Sequence, residues 1–323
     1  MKFDVVAIGE AVVDFTPFGV SERGNIIYES QPGGAPCNML AEVARLGGKA
    51  AFIGLLGKDP LGKNLIKVMK ETGINVDGVS FIEEAPTGLT LVEFDEQGER
   101  SFHSIQKKKS YEQLTEADLD YNILDQAKVF YTGGAMFGQE KTYRAVKKAF
   151  EYVRGNGRTQ TCCDLNWRSF QYDREYARSE ILPFISEFDV LKLSEEELNL
   201  LSDMKDMESC VEYLYERGPS LIVVTLGRQG CYYYYAKGGG YIRTYQTEAV
   251  DSNAVGDTFT GAMLKKISEL DTDICDLDKE EVIDMLDFAN AAGAACVAKR
   301  GAMMATPTVD EVDRVRKQIP KYE

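Results

Sequence analysis

The sequence predicts an α/β protein, with a mostly parallel central sheet flanked by helices and a small β lid. Three observations carry this. Short apolar runs alternate with amphipathic segments along most of the 323 residues, the rhythm of βα units. The rhythm breaks at 87–109, where two period-two segments face each other across a turn. Glycines and short polar side chains collect after the apolar runs, where doubly wound sheets bind ligands.

Taken in order, Val5 to Ile8 is a buried strand ended by Gly9. Asp14, within AVVDF, is either at a strand end facing a ligand or exposed by alternation, and both readings stand. A β-like piece at Ile26 to Glu29 can join the lid. In QPGGAPCNMLAEVARLGG, Gly33 and Gly34 form either a tight turn or bare backbone against a ligand. Asn38 opens a helix with apolar face Met39, Val43 and Leu46, closed by Gly47–Gly48. Ala51 to Leu56 is a strand and Leu61 to Thr72 an amphipathic helix. Thr87 to Phe94 and Arg100 to Ile105 form a hairpin turning at Asp95–Gly98. The alternation of Leu89, Leu91 and Glu93 predicts an antiparallel sheet with one wet face. The lid thus takes in residues 12–32 and 87–109 of one domain spanning 1–323.

Beyond the lid, strands fall at Val129–Thr132, Thr161–Leu165, Val190–Leu193 and Leu221–Thr225. Helices fall at Lys141–Gly155 and Ile181–Phe188, from SEEE onward, and at Glu280–Lys299. Cys231 to Tyr235 and Tyr241 to Gln246 read as a second hairpin.

Composition removes several function classes. A net charge of −15 argues against a nucleic-acid surface, and the short run Lys107–Lys109 reads as a solvated loop. No apolar run approaches the ~20 residues that span a bilayer. Seven scattered cysteines without a CxxC pair predict reduced, buried thiols in the cytoplasm. A single histidine, His103, excludes histidine triads and multi-histidine metal sites within one chain. Acid–base chemistry falls to carboxylates.

One stretch concentrates that chemistry: AVDSNAVGDTFTGAML, residues 249–264. A loop of small residues opens a helix near Gly256–Asp257, leaving unpaired amides and the positive end of the helix dipole as a site for negative charge. Asp257 in such a site has two readings. It caps the helix, or it takes a proton from a hydroxyl attacking a phosphoryl group held over the amides. Polar residues at other strand ends point to the second: Asp14, Gly33, Gly34 and Asn38; Asp164, Asn166 and Arg168; Ser194 and Glu197; Thr225 and Gly227.

On these stretches the chain resembles the ribokinase-like carbohydrate kinases, the PfkB family, over nearly its whole length. GGAPCN through ARLGG resembles the first family signature, and DSNAVGDTFTGA the second, DTxGAGDxFxGA. KLSEEE resembles the KxNxxE metal motif, TLGRQG the TxGxxG nucleotide turn, and DLNWR the DPNxR of fructokinases. FANAAGAACVAKRGA resembles the fructokinase-type adenine segment. The resemblance implies a ribokinase-like fold and ATP-dependent phosphorylation of a sugar primary hydroxyl, fructose first. Asp257 would be the general base, with Ala254, Val255 and Gly256 as the anion hole. Asp14, Gly33, Gly34, Asn38 and Arg168 would hold the sugar. Lys192, Ser194, Thr225, Gly227, Gly230 and Asn290 would line the nucleotide. Glu197 would organise Mg²⁺ through water, and Asp251 would border a monovalent-cation site, usually K⁺. Relatives pair through the lid, which implies a homodimer.

Three departures stand out. Val255 replaces the usual alanine of the anion hole, Ser194 the usual asparagine of the metal motif, and Gln106 falls near an expected lid arginine. Close alternatives are 2-keto-3-deoxygluconate kinase, ribokinase, or a non-catalytic sugar- or nucleotide-binding regulator. A nicotinamide oxidoreductase is disfavoured, because GEAVVD and no GxGxxG follows the first strand.

Overall fold

The computed structural model describes residues 2–94, 100–168 and 171–323, and the predicted turn Asp95–Gly98 lies outside them. Among the described residues, thirteen strands run in chain order as β1 (Phe3–Ile8), β2 (Val12–Val20), β3 (Ile26–Gly33), β4 (Ala50–Gly57), β5 (Ile74–Ile82), β6 (Gly88–Phe94), β7 (Arg100–Ser104), β8 (Ala127–Gly133), β9 (Gln160–Asp164), β10 (Val190–Ser194), β11 (Leu221–Thr225), β12 (Cys231–Tyr235) and β13 (Gly238–Ile242). The α-helices are α1 (Ala35–Arg45), α2 (Pro60–Glu71), α3 (Tyr121–Leu124), α4 (Glu140–Gly155), α5 (Arg174–Tyr176), α6 (Glu195–Leu201), α7 (Met207–Tyr215), α8 (Val255–Ile267), α9 (Lys279–Val297) and α10 (Val309–Gln318).

Nine strands form one sheet in the order β13-β12-β11-β10-β9-β8-β1-β4-β5. All neighbours from β11 to β5 are parallel, and β12 and β13 close one edge antiparallel. The parallel strands are near-continuous apolar runs because helices cover both faces. One core joins the sheet to α1, α2, α8, α9 and α10, and the other joins it to α3, α4, α6 and α7. From β1 the chain passes first to β4 and later to β8, so the order reverses beside β1. Open α/β sheets bind ligands at the carboxyl ends of the strands flanking such a point.

The lid is a separate four-stranded sheet, β3-β2-β6-β7. The β6–β7 hairpin is antiparallel as expected and β2–β3 adds a second, but β2 and β6 run parallel, Val12 opposite Gly88 and Phe15 opposite Leu91. That pairing joins segments more than 70 residues apart, and no local alternation announces it. Gln106 completes the lid edge. Its Oε1 accepts from the Leu89 amide at 2.8 Å, and its Nε2 donates to the Thr87 carbonyl at 3.0 Å. Five large apolar side chains of the β2–β3 hairpin, Phe18, Val20, Ile26, Ile27 and Tyr28, are exposed.

Several elements depart from expectation. Helix α1 begins at Ala35, not Asn38, because Pro36 suits a first helical turn that has no use for its missing N–H. Residues 177–187 are π and 3₁₀ turns instead of a regular helix, with Pro183 breaking the ladder. β13 runs over Gly238–Ile242 and not Tyr241–Gln246. Its glycines read as a turn, yet they let the Tyr233 backbone approach: a β-carbon on Gly239 would lie 2.6 Å from the Tyr233 carbonyl. β5, α7 and α10 were not anticipated. Lys109 is not solvated but buried, with Nζ 2.6 Å from Glu112 and near the Tyr111 ring. All seven cysteines are free, and Cys275 alone is exposed. No helix among the described residues is long and apolar enough to cross a membrane.

One contact fixes the geometry of the site. Helices α1 and α8 cross at Gly261, where a β-carbon would lie 2.5 Å from the Met39 carbonyl. Gly261→Ala is therefore expected to push the helices apart and cost roughly 1–3 kcal/mol. Gly155, which ends α4, has nothing within 4 Å of its β-carbon position, and Gly155→Ala should be neutral or stabilising. Thermal melts of the two variants check this, and equal effects would refute a backbone contact at Gly261.

Candidate active site

The α1–α8 crossing brings two sequence-distant groups together. Asn38 Nδ2 donates to Asp257 Oδ2 at 2.8 Å. Asn166, after β9, stands on the other side, with Nδ2 3.5 Å from Oδ1. Its φ of 36°, which asparagine tolerates better than most residues, turns the chain there. Asp257 is in the first turn of α8, whose N-cap Ala254 is left-handed, with φ 59° and ψ 8°. That conformation swings the loop into the helix, whose first-turn amides are left unused by the helical ladder.

The pocket is lined by Glu10, Asp14, Gly34, Asn38, Arg168 and Asp257, with Thr90 and Phe102 from the lid. Gly34 caps α1 at φ 105°, and a β-carbon there would lie 2.6 Å from the Glu10 carbonyl, so only glycine fits. A β-carbon on Gly33 would sit 3.5 Å from Asp14 Oδ2 and 3.6 Å from Asn38 Oδ1. Bare backbone thus stands between two polar side chains. The Arg168 guanidinium lies 5.5 Å from the Phe102 ring centre, linking the main sheet to the lid.

Beneath α8 lies a buried ion pair. Lys192 Nζ is 3.1 Å from Asp164 Oδ1, and Asp164 Oδ2 accepts from Thr260 Oγ1 at 3.0 Å. Lys192 Nζ also comes within 3.5 Å of the Gly256 β-carbon position, so its charge sits under the helix start. Burial pushes the Asp257 carboxyl up to about 6; Asn38 opposes this, Asp164 adds to the rise, and Lys192 and Arg168 hold it down.

The other expected residues spread along neighbouring strand ends. Ser194 and Glu197 form a capping box on α6: Glu197 Oε2 accepts from Ser194 N at 2.7 Å and Oε1 from Trp167 N at 2.6 Å. Thr225 ends β11, Gly227 and Gly230 turn the chain at φ 55° and 95°, and Gly230 packs against the Ile242 carbonyl. Asn290 is buried on α9, with Nδ2 donating to the Ile242 carbonyl at 3.3 Å. Asp251 accepts from Asn253 N at 2.8 Å and Gly301 N at 3.1 Å, tying the loop before α8 to the loop after α9. No three His, Cys, Asp or Glu side chains among the described residues converge as a metal cage. This donor set fits a hydrated cation that arrives with phosphate oxygens, as Mg²⁺ does with nucleotides.

The sequence reading missed Glu10, which lines the pocket just past β1. Its signal was available: an acid directly after the glycine that ends the first strand.

Comparisons with known proteins identify the family and the fold. The family described as pfkB family carbohydrate kinase matches residues 2–309. Fructokinase-1 of Oryza sativa subsp. japonica is 36% identical over 312 residues, covering 95% of this chain and 96% of the relative. The structure of fructokinase with bound ATP from Xylella fastidiosa superposes with a TM-score of 0.90 at 28% identity, covering 98% and 99% of the two chains. A putative ribokinase II from E. coli in complex with ATP and Mg²⁺ superposes at 0.86 and 28% identity, covering 97% and 99%. The chain belongs to the PfkB family of carbohydrate kinases, with the ribokinase-like fold, and is an ATP-dependent carbohydrate kinase.

Proposed function

We propose that the protein phosphorylates fructose on its primary hydroxyl to give fructose 6-phosphate, with Asp257 as general base. The observation that carries this is the Asn38–Asp257 pair at the bottom of a pocket walled by short polar side chains and bare glycine. The substrate hydroxyl attacks the γ-phosphorus of ATP, its proton passes to Asp257, and the bond to the β-phosphate oxygen breaks to release ADP. The Ala254–Val255–Gly256 amides face the charge that develops on the transferred group. Val255 changes a side chain and leaves the amide in place. The Mg²⁺ that accompanies ATP neutralises phosphate charge. Glu197, whose two oxygens each accept from a backbone amide, would organise that ion through water. We assign the nucleotide to Lys192, Ser194, Thr225, Gly227, Gly230 and Asn290, and K⁺ to the loop that Asp251 pins. Six buried free thiols support a cytoplasmic location.

The charge of the pocket selects among sugars. Among the described residues that line the pocket, Glu10, Asp14 and Asp257 are acids and Arg168 is a cation. A neutral ketose suits that balance better than a sugar acid such as 2-keto-3-deoxygluconate, whose carboxylate would meet three acids. Gln106 is spent on the lid backbone and offers no charge to compensate.

The test is ADP release with ATP and Mg²⁺, with and without K⁺, against fructose, ribose, tagatose and 2-keto-3-deoxygluconate. Fructose should be preferred. Since Asp257 must be ionised to act and its carboxyl is raised to about 6, kcat/KM for fructose should fall about tenfold per pH unit below that value. Silence on every sugar would leave the binding-only regulator as the surviving reading. We further propose a homodimer joined through the exposed lid face of Phe18, Val20, Ile26, Ile27 and Tyr28. Sedimentation should show a dimer that Ile26→Lys splits, and a monomeric wild type would refute it.

A further inference from the structure

Glu10 carries chemistry that the reaction scheme above leaves unused. It follows β1 directly, at the carboxyl end of the strand beside which the sheet order reverses, and it lines the pocket. Its Oε1 accepts from the amide of Ala35, the first residue of α1, at 3.2 Å. Its Oε2 is enclosed, with no hydrogen-bond partner among the described residues. The hydroxyl of Tyr131, on the adjacent strand β8, is enclosed and unpartnered too. Both atoms lie 3.7 Å from the point a β-carbon on Gly133 would occupy. Two orphaned polar atoms thus converge on one gap left by a glycine.

Enclosing a carboxyl oxygen without a partner is costly, and such groups are kept where something else supplies the bond. The surroundings exclude the ordinary structural explanation, an ion pair. Among the described residues, the groups that face Glu10 are Asp257, Cys37, Tyr111 and Tyr131, with Arg168 as the one cation. Burial above all pushes the carboxyl up to about 7; its own backbone amide and that of Ala35 oppose the rise, and Asp257 adds to it. Near neutral pH it is therefore present both as acid and as carboxylate, and can either give or accept a hydrogen bond. A sugar hydroxyl also does both.

We propose that Glu10 is a specificity-determining residue of the sugar site, whose carboxyl exchanges a hydrogen bond with one substrate hydroxyl. This rests on the sugar-kinase reading of the pocket and names a residue on which that reading does not depend. Asp257 acts on the hydroxyl that reacts, whereas Glu10 recognises one that does not.

The test uses full-length protein as wild type, Glu10→Ala, Glu10→Gln and Gly133→Ala. Fructose affinity is measured by calorimetry, and kcat and both KM values by ADP release, with fructose and its monodeoxy analogues. Glu10→Ala should raise the fructose Kd and KM about tenfold or more, with kcat and the KM for ATP little changed. Glu10→Gln, which keeps an acceptor for the Ala35 amide, should recover part of the loss. One monodeoxy analogue should bind Glu10→Ala as well as fructose does, identifying the hydroxyl concerned. Gly133 has φ −102° and ψ 159°, so alanine fits the backbone, and by filling the gap it should weaken fructose without touching ATP. Unchanged fructose affinity in Glu10→Ala, or equal losses for fructose and ATP, would overturn the assignment while leaving the kinase reading intact. A wild type that neither binds nor phosphorylates any sugar would overturn both.

Discussion

The crossing of α1 and α8 at Gly261 sets the spacing on which the site depends. Because no side chain separates Gly261 from the Met39 carbonyl, the two helices approach closely enough for Asn38 to reach Asp257. α1 carries the groups of the first signature and is capped by Gly34, whose conformation only glycine adopts comfortably. α8 carries the amides and the acid of the second. A wider crossing would leave each half correctly folded and the pair too far apart to act on one hydroxyl.

Charge is distributed around that crossing with a consistent logic. The start of α8 would attract any anion, so its resident acid is kept from neutralising it by burial, which favours the protonated form. Opposing this, the Asn38 hydrogen bond and the Lys192 and Arg168 charges hold the carboxyl within reach of ionisation at neutral pH. Lys192 is itself satisfied by Asp164, so the buried positive charge has a partner and still lies beneath Gly256. The result is a base that is neither fully stabilised as a carboxylate nor locked as an acid.

The parts legible in the sequence are those with a local pattern. Gly33–Gly34 before an apolar helix, DSNAVGD before another, and the pure apolar run of β11 each signal themselves within a dozen residues. Asp14, Asn38, Arg168 and Asp257 came with them and line one pocket. What stayed hidden depends on partners far along the chain. Glu10 gains its setting from Ala35, 25 residues on, and from Tyr131 and Gly133 on another strand. The parallel pairing of β2 with β6 depends on the lid closing across the intervening α1, β4, α2 and β5. Lys109 looked like part of a solvated basic run, and only its contacts with Glu112 and Tyr111 explain its burial. The glycine strand β13 was masked because its packing comes from the tyrosine backbone it lies against and not from its own side chains.

The central claim is that Asp257 is held in an environment costly to its charge because the reaction needs that charge. Its carboxyl is raised in the folded protein above its ordinary value of 3.8, to about 6. Its contribution to stability is therefore full below about pH 4 and is lost as the pH rises through about 6. At neutral pH the ionised group works against the fold. The deciding measurement is Asp257→Asn at pH 7.5, followed by turnover and thermal melting on the same sample. The account predicts that kcat falls by about 10²–10⁴ while the melting temperature rises. Turnover that survives within a few-fold, or a melting temperature that drops along with activity, would contradict it.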